Sequence, residues 1–307
     1  MSSSRQSNRH HSEDHLGEAR EYWWNDDYLA LIAQRLNTQS YQNVADIGCG
    51  YGSMTFRLAP YFAKSAHLIG IDFEEAYVKK ARQKAKRIQK SLRSRFTFQV
   101  GNADEIPLED GQMDFTFCQT LLIHVPEPVN VIKEMRRITR PGGWVVAFEP
   151  NNLASHLMFD CYADTEYDVP QMLEMMEVRL RCEQGKRRLE EGFNSLGGAI
   201  PDLFKQAGLR DIQVWMSDKT LPLIPPYNSR EERVRAAQLV DWLENEEGGL
   251  GYQETLHYFR AGGGKKHVFE RYWQRVLAYK TKLLTQLKSQ TYFSSGGQVM
   301  YIVAGKV

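Results

Sequence analysis

Residues 44–52 read VADIGCGYG, an apolar run with one acid that leads into three glycines at alternate positions. The apolar run is typical of a buried strand, and glycines directly after a strand let a backbone approach a bound ligand closely. A dinucleotide fingerprint would read GxGxxG, and a phosphate loop would read GxxxxGK followed by Ser or Thr, whereas this loop reads GxGxG. The loop alone therefore predicts a ligand site and leaves the ligand open.

Strand-like and helical stretches alternate on both sides of this loop. The predicted strands are NVADIG (43–48), HLIGID (67–72), RFTFQV (95–100), MDFTFCQ (113–119) and GWVVAFEP (143–150). A helix is predicted from Ser53 to about Phe62, a basic one over EEAYVKKARQKAKRIQK, and a third over EPVNVIKEMRRIT that Pro141-Gly142-Gly143 stops. This alternation predicts βαβ crossovers and an α/β fold with a parallel sheet covered on both faces.

The charge balance excludes several classes of partner. The 307 residues carry 39 Lys and Arg against 38 Asp and Glu, a formal net charge of +1, so no nucleic acid is expected.

The longest apolar runs, such as Trp144–Phe148, are too short to span a membrane. Because the start of the chain is polar and lacks the apolar core of a secretory signal, we expect a cytoplasmic protein.

No metal site is predicted. The four cysteines have no CxxC spacing and no close histidine, so neither a zinc site nor a disulfide framework is indicated; they are Cys49, Cys118, Cys161 and Cys182. Three histidines near the start of the chain are interpreted as part of a flexible polar tail: His10, His11 and His15.

Two acidic residues restrict the chemical class of the ligand. Asp72 ends the second predicted strand, where a carboxylate can accept both hydroxyls of a ribose and would repel a 2′-phosphate. The third strand runs into GNADEIPLEDGQMD, where the backbone near Ala103 and the carboxylate of Asp104 are placed to recognise an adenine. Alternatively, Asp46 and Asp72 are helix-cap or turn residues with a purely structural role. The pattern favours a ligand with adenine and ribose but without phosphate.

At this point the chain resembles the class I S-adenosylmethionine-dependent methyltransferases, in the small-molecule branch that includes quinone and sterol methylating enzymes. The resemblance covers about residues 40–150 through VADIGCGYG, IGIDFEEAYVKKAR, GNADEIPLEDGQMDFTFCQTLLIHVPEP and WVVAFEPNN, in that order. It implies a Rossmann-like sheet of seven mostly parallel strands with helices on both faces, whose last strand, within GQVMYIVAGKV, is antiparallel. It also implies S-adenosyl-L-methionine as the cofactor.

The resemblance assigns roles to individual residues. The loop residues Gly48, Cys49, Gly50 and Gly52 would pass the methionine part of the cofactor, with Cys49 a small filler rather than a nucleophile. The other cofactor contacts implied are Asp46 at the amino group, Asp72 at the ribose, Phe73 packed on the adenine (or simply packed in the protein), Ala103 and Asp104 at the base, and Gln119 on the methionine side.

The same resemblance divides the chain around this core. Residues 1–40 would form a polar tail and N-terminal lid helices, 41–152 the cofactor-binding core, 153–192 a helical insertion, 193–221 a core helix and strand, 222–290 a second helical insertion, and 291–307 the final core strand. The aromatic and Met-rich insertions suit an apolar pocket for the acceptor, or simply the core of a helical subdomain.

Candidate acceptor-side residues follow the fourth and fifth strands. His124 is the candidate general base, since its ordinary pKa lies near neutrality; the alternative is that it orders its loop or packs on the cofactor. Glu149 and Asn151 are candidate acceptor contacts, although Glu149 could simply cap the following turn. Tyr22 and Trp24 are expected either to cover the cofactor as a lid or to anchor the first helix to the sheet.

The predicted activity is methyl transfer to an O, N or C atom of a small-molecule acceptor. A protein methyltransferase and a non-catalytic S-adenosylmethionine-binding regulator are the alternatives. The Asn/Asp/Ser-Pro-Pro-aromatic signature of DNA and RNA amino-methylating enzymes is missing after the fourth strand, where the sequence reads CQTLLIH. A nicotinamide dehydrogenase is excluded by the glycine spacing. The number of subunits is left open.

Overall fold

The computed structural model describes residues 17–88, 94–156, 168–246 and 251–307. Their backbone contacts form two compact units, which we call the sheet unit and the helical unit. The sheet unit contains the described parts of 24–151, 196–218 and 299–307, and the helical unit those of 17–23, 152–195 and 219–298. The tail histidines and Cys161 lie outside the described residues.

The described strands form one seven-stranded sheet in the order β3-β2-β1-β4-β5-β7-β6. They are β1 (Asn43–Ile47), β2 (His67–Asp72), β3 (Arg95–Val100), β4 (Met113–Gln119), β5 (Thr139–Pro150), β6 (Arg210–Met216) and β7 (Met300–Lys306). The first five pair in parallel, and β7 is antiparallel to both of its neighbours, β5 and β6. The predicted fold class is confirmed, including the antiparallel last strand.

The sheet unit also contains α-helices, the first of which precedes β1. The helices of the sheet unit are α1 (Asp26–Arg35), α2 (Ser53–Leu58), α3 (Glu75–Ile88), α4 (Pro128–Ile138) and α7 (Ile200–Gln206). The helical unit contains α5 (Asn152–Ser155) and α6 (Val169–Arg188), which precede α7 in the chain. The remaining α-helices described are α8 (Arg230–Asn245), α9 (Tyr252–Ala261) and α10 (Lys266–Lys288). Short 3₁₀ turns include Glu18–Tyr22 and Leu122–His124.

The start of β5 differs from the expectation. Helix α4 ends at Ile138 and the strand begins at Thr139, so Pro141-Gly142-Gly143 lies inside the irregular first part of the strand. Gly142 has a φ of 77°, and a Cβ added to Gly143 would lie 2.6 Å from the carbonyl oxygen of Asp114. The helix therefore ends within one residue of its predicted end, and the glycines that follow permit a bulge and a close strand contact inside β5.

The helical unit contains its own apolar clusters. One gathers Val178 of α6 with aromatic side chains of α9 and α10, including Phe259, Phe269 and Trp273. Helices α6 and α9 approach very closely: a Cβ added to Gly185 would lie 1.8 Å from the carbonyl oxygen of Tyr258. The glycine is therefore what permits this crossing, because any side chain there would collide with backbone.

Among the residues described, no helix is both long enough and apolar enough to cross a membrane.

Candidate active site

The glycine loop leaves β1 and folds over the end of β2. Gly48, Gly50 and Gly52 all have positive φ values of 70°, 53° and 76°, a conformation that side-chain-bearing residues rarely adopt. The N–H groups of Gly48 and Cys49 both donate to the carbonyl oxygen of Ile71, at 2.7 and 3.0 Å. The alternate glycines are thus required by the backbone of the loop itself.

Asp72 ties this loop to the end of β2. Its carboxylate accepts the N–H of Gly50 at 2.8 Å on one oxygen and the N–H of Glu74 at 3.0 Å on the other. The side chain is only 6% exposed, and burial raises its pKa above the ordinary range, against the effect of the two N–H donors. Since each carboxylate oxygen has a second acceptor position, both can still receive a hydroxyl.

Asp46 lies inside the protein beneath the loop. It is 2% exposed, and its carboxylate accepts the hydroxyl of Thr55 from α2 at 2.5 Å. Nearby Cys49 is also buried; a Cβ added to Gly70 would lie 2.9 Å from its sulfur. Burial holds the pKa of the Cys49 thiol well above its ordinary value, so the group is a neutral space-filling thiol.

An exposed aromatic side chain follows Asp72. Phe73 is 64% exposed, which is unusual for a phenylalanine and leaves a ring surface at the end of β2. The neighbouring loop after β3 reaches the same region, because Gly101 donates its N–H to the carbonyl oxygen of Asp72 at 3.0 Å. In this loop Ala103 is half-buried and Asp104 is exposed, with its N–H bonded to the side chain of Asn102.

Arg137 of α4 holds the loop that carries Ala103 and Asp104. Its guanidinium donates to the carbonyl oxygens of Ile106 and Leu108, both at 2.9 Å, and to the carboxylates of Asp110 and Glu134. Glu134 in turn accepts the N–H of Ile106 at 2.9 Å, and hydrogen bonding to Arg137 lowers the pKa of Glu134. No local sequence pattern indicates this clamp, because its partners lie up to 31 positions apart.

We expect Arg137→Lys to weaken cofactor binding several-fold. A lysine cannot donate to four acceptors at once, so the two carbonyl oxygens lose partners, at a cost of about 1–2 kcal/mol in an environment that is partly exposed. Thermal unfolding and titration calorimetry measure the two effects. Arg136→Lys on the same helix is the control, and equal behaviour of both variants would contradict the clamp.

The end of β4 carries Gln119 and a strained residue. Gln119 is buried, and its side-chain nitrogen has no hydrogen-bond partner among the residues described. Thr120 has a φ of 49°, which is strained for a β-branched residue, and its N–H donates to the carbonyl oxygen of Phe148 at 2.9 Å. Leu121 then packs on the glycine loop, since a Cβ on Gly48 would lie 2.8 Å from it.

Glu149 lies inside the protein, at the end of β5. It is fully buried, and one carboxylate oxygen accepts the N–H groups of Leu121 and Leu122, each at 2.9 Å. It therefore caps the 3₁₀ turn Leu122–His124, which precedes its own strand in the chain, and not the turn that follows Glu149. His124 is half-buried at the end of this turn.

The three remaining residues predicted on the acceptor side, Trp24, Asn151 and Tyr22, differ in burial and in the contacts they make. Trp24 is 3% exposed and packs its ring edge-on against Phe148, with 5.3 Å between ring centres, so it anchors the start of α1 to the sheet. Asn151 is half-buried at the end of β5 and donates its N–H to the carbonyl oxygen of Val299. Tyr22 is half-buried and belongs to the helical unit.

These residues fit S-adenosylmethionine. The buried Asp72 has acceptor capacity for two ribose hydroxyls, the exposed Phe73 offers a ring surface beside it, and the side-chain amide of Gln119 lacks a described partner. At its three glycine positions the loop has no side chain that would block the approach of a ligand to the backbone.

Comparisons with known proteins agree with this geometry. The sequence signature described as "Methyltransferase domain" matches residues 39–207. A demethylmenaquinone methyltransferase of Bacillus subtilis is 32% identical over 196 residues, which cover 62% of this chain and 78% of that protein. An uncharacterised 37.1 kDa transposon protein of Streptomyces fradiae is 31% identical over 124 residues, 40% of this chain and 34% of that protein.

A solved protein of Bacillus halodurans C-125 has the same fold, with a TM-score of 0.50, 13% identity, and coverage of 91% of this chain and 98% of that one. The family signature spans more than half of the chain and includes the glycine loop, Asp72 and the strand ends just described. The chain therefore belongs to the methyltransferase-domain family and is an S-adenosylmethionine-dependent methyltransferase.

Proposed function

We propose that this enzyme transfers the methyl group to an O, N or C atom of a small-molecule acceptor. The observation that supports the proposal most is the similarity to the demethylmenaquinone methyltransferase of Bacillus subtilis, which extends over 78% of that protein. The near-neutral charge of the chain offers no general attraction for nucleic acid.

In this proposal the residues at the strand ends hold the cofactor. Asp72 accepts the ribose hydroxyls, Phe73 covers the adenine, and Ala103 with Asp104 contacts the base. The glycine loop and Gln119 lie along the methionine part, and Asp46 supports its amino group. The sulfonium of the bound cofactor supplies an already activated methyl group, so the protein has mainly to align the acceptor and exclude water.

We assign His124 the role of proton acceptor for the methyl acceptor atom. It ends the 3₁₀ turn that follows β4, and the preceding residues Leu121 and Leu122 are fixed by the carboxylate of Glu149. A base on a fixed segment can take the proton of a hydroxyl, amine or carbon acid as the methyl group arrives.

His124→Ala should lower kcat by about 10²–10⁴-fold while leaving cofactor affinity within a few-fold of the wild type. The assay is formation of S-adenosylhomocysteine with a panel of small acceptors that includes hydroquinones and secondary amines. His267→Ala, an exposed histidine of α10, is the control. An unchanged rate and pH profile in His124→Ala would remove the base assignment.

The acceptor class has its own test. Cofactor turnover that requires a protein substrate, with the small-molecule panel inactive, would replace the proposal by a protein methyltransferase. Tight cofactor binding without turnover on either panel would favour a regulator.

A further inference from the structure

Glu149 is a buried carboxyl group whose function the cofactor contacts do not explain. One oxygen accepts two backbone N–H groups, from Leu121 and Leu122, and also the thiol of Cys118, whose sulfur lies 3.8 Å away. The second oxygen is buried without a hydrogen-bond partner among the residues described. A fully buried carboxyl with an unpaired oxygen is costly, so its retention calls for a function.

The segment that Glu149 holds is under backbone strain. Thr120, directly before Leu121, adopts a φ of 49°, and its own N–H is fixed by the carbonyl oxygen of Phe148. Such a conformation persists only where surrounding contacts determine it. Phe148 and Glu149 are consecutive residues of β5, so one short piece of strand fixes three consecutive N–H groups of the segment, those of Thr120, Leu121 and Leu122.

The held segment touches the cofactor loop. The side chain of Leu121 packs so closely on Gly48 that an added Cβ there would lie 2.8 Å from its Cδ1 and 3.1 Å from its Cβ. A shift of Leu121 would therefore be felt at the first glycine of the loop, because the contact leaves no free space.

We propose that Glu149 is a positioning residue of the cofactor site, whose ionised carboxylate holds Leu121 against Gly48 and so maintains the binding conformation of the glycine loop. The inference deepens the proposed function and rests on its cofactor site. It does not depend on the identity of the acceptor.

Protonation of Glu149 acts on cofactor binding and on stability in opposite directions. Burial raises the pKa of Glu149 from 4.5 to about 7, although the N–H donors lower it. An ionised carboxylate accepts N–H groups more strongly than the protonated acid, so cofactor affinity should rise as the pH increases through about 7.

The raised pKa of Glu149 also means that the folded protein favours the protonated form of this carboxyl group. The contribution of Glu149 to stability therefore falls between about pH 4.5 and about pH 7 and is level above that range.

Other titratable groups lie on the elements around Glu149. They are Cys118 on β4, Asp46 on β1, Tyr301 opposite Glu149 in the β5–β7 register, and His124 on the capped turn. Burial holds the pKa of Cys118 well above its ordinary value, so that thiol stays neutral near pH 7. Some of these groups around Glu149 can add their own pH dependence to cofactor affinity. The pH dependence of the wild type must therefore be compared with that of a variant that lacks the Glu149 charge.

The test is titration calorimetry of S-adenosylmethionine from about pH 6 to about pH 8.5, on the full chain. We expect the wild type to bind about fivefold more tightly at the upper end, and Glu149→Gln to lose this difference, since its amide oxygen accepts the same N–H groups without charge. Glu149→Ala should bind at least about tenfold more weakly at high pH, because two buried N–H groups lose their acceptor.

A double-mutant cycle distinguishes positioning from general damage to the fold. If Glu149 acts through Leu121, Leu121→Ala should cost little further affinity in the Glu149→Ala background. Glu127→Gln, an exposed acid just before α4, is the matched control and should bind as the wild type does.

Additive effects of the two substitutions, or the same pH dependence in Glu149→Gln as in the wild type, would overturn the inference. Inactivity toward small acceptors with these binding results intact would overturn only the proposed acceptor. Loss of cofactor binding in every protein, the wild type included, would overturn both.

Discussion

Asp72→Ala should bind S-adenosylmethionine at least about 100-fold more weakly than the wild type, because two charge-assisted hydrogen bonds to ribose are lost, each contributing about 1.5–3 kcal/mol. The same substitution also removes the acceptor of the Gly50 N–H, which lies 2.8 Å from the carboxylate. In the proposed site the loop and the ribose share this one carboxylate, so both losses are expected to weaken cofactor binding. Titration calorimetry measures the affinity directly.

The stability of Asp72→Ala separates a binding defect from a folding defect. Burial raises the pKa of Asp72, which means that the folded protein disfavours its charge at neutral pH. Removing that charge relieves the cost of burying it but leaves the N–H groups of Gly50 and Glu74 without their acceptor. Because these effects oppose each other, the unfolding temperature of the ligand-free protein should change little. Glu105→Gln, an exposed acid in the loop after β3, should behave as the wild type in both assays. Undiminished binding by Asp72→Ala would refute the ribose assignment.

Gly185→Ala should be the most destabilising of the single substitutions considered. The new methyl group would lie 1.8 Å from the carbonyl oxygen of Tyr258 and 2.9 Å from the backbone nitrogen of Gly262, so α6 and α9 must move apart. Alanine favours a helix over glycine by about 1 kcal/mol, but overpacking against backbone costs about 3 kcal/mol or more, so the net effect is unfavourable. Thermal or urea unfolding followed by circular dichroism measures the loss.

The reciprocal position provides an independent check. A Cβ on Gly262 would lie 1.9 Å from the carbonyl oxygen of Arg181, so Gly262→Ala should destabilise the protein in the same direction. Gly17→Ala, with nothing within 4 Å of the new atom, is the matched control. A wild-type unfolding midpoint for Gly185→Ala would show that the helices separate at little cost.

The sheet and the position of the glycine loop could be predicted because their signals are local. Each strand is a short apolar run, and the alternate glycines and Asp72 stand directly at strand ends. The end of α4 was predicted to within one residue, but the start of β5 was placed too late, because Pro141-Gly142-Gly143 is typical of a loop and here lies in the irregular first part of the strand.

Fewer of the side-chain contacts around the candidate site could be predicted from the sequence. Strand β5 is buried on both faces after Gly143, so no alternation of polar and apolar residues indicates where Glu149 points. The Arg137 clamp joins residues up to 31 positions apart, and the hydroxyl of Thr55 reaches Asp46 across nine. Such side-chain contacts depend on tertiary packing, which a single sequence does not encode in any readable spacing.

The place of β7 in the sheet has a consequence for the order in which the protein is completed during synthesis. Strand β6 pairs only with β7 among the strands described, and β7 is separated from it by the whole 219–298 stretch of the helical unit. Strands β1 to β5 can pair with one another once β5 has been translated, whereas β6 must wait for β7 until more than 80 further residues have been translated. The five strands that carry the proposed cofactor residues at their ends can therefore pair before β6 has its partner.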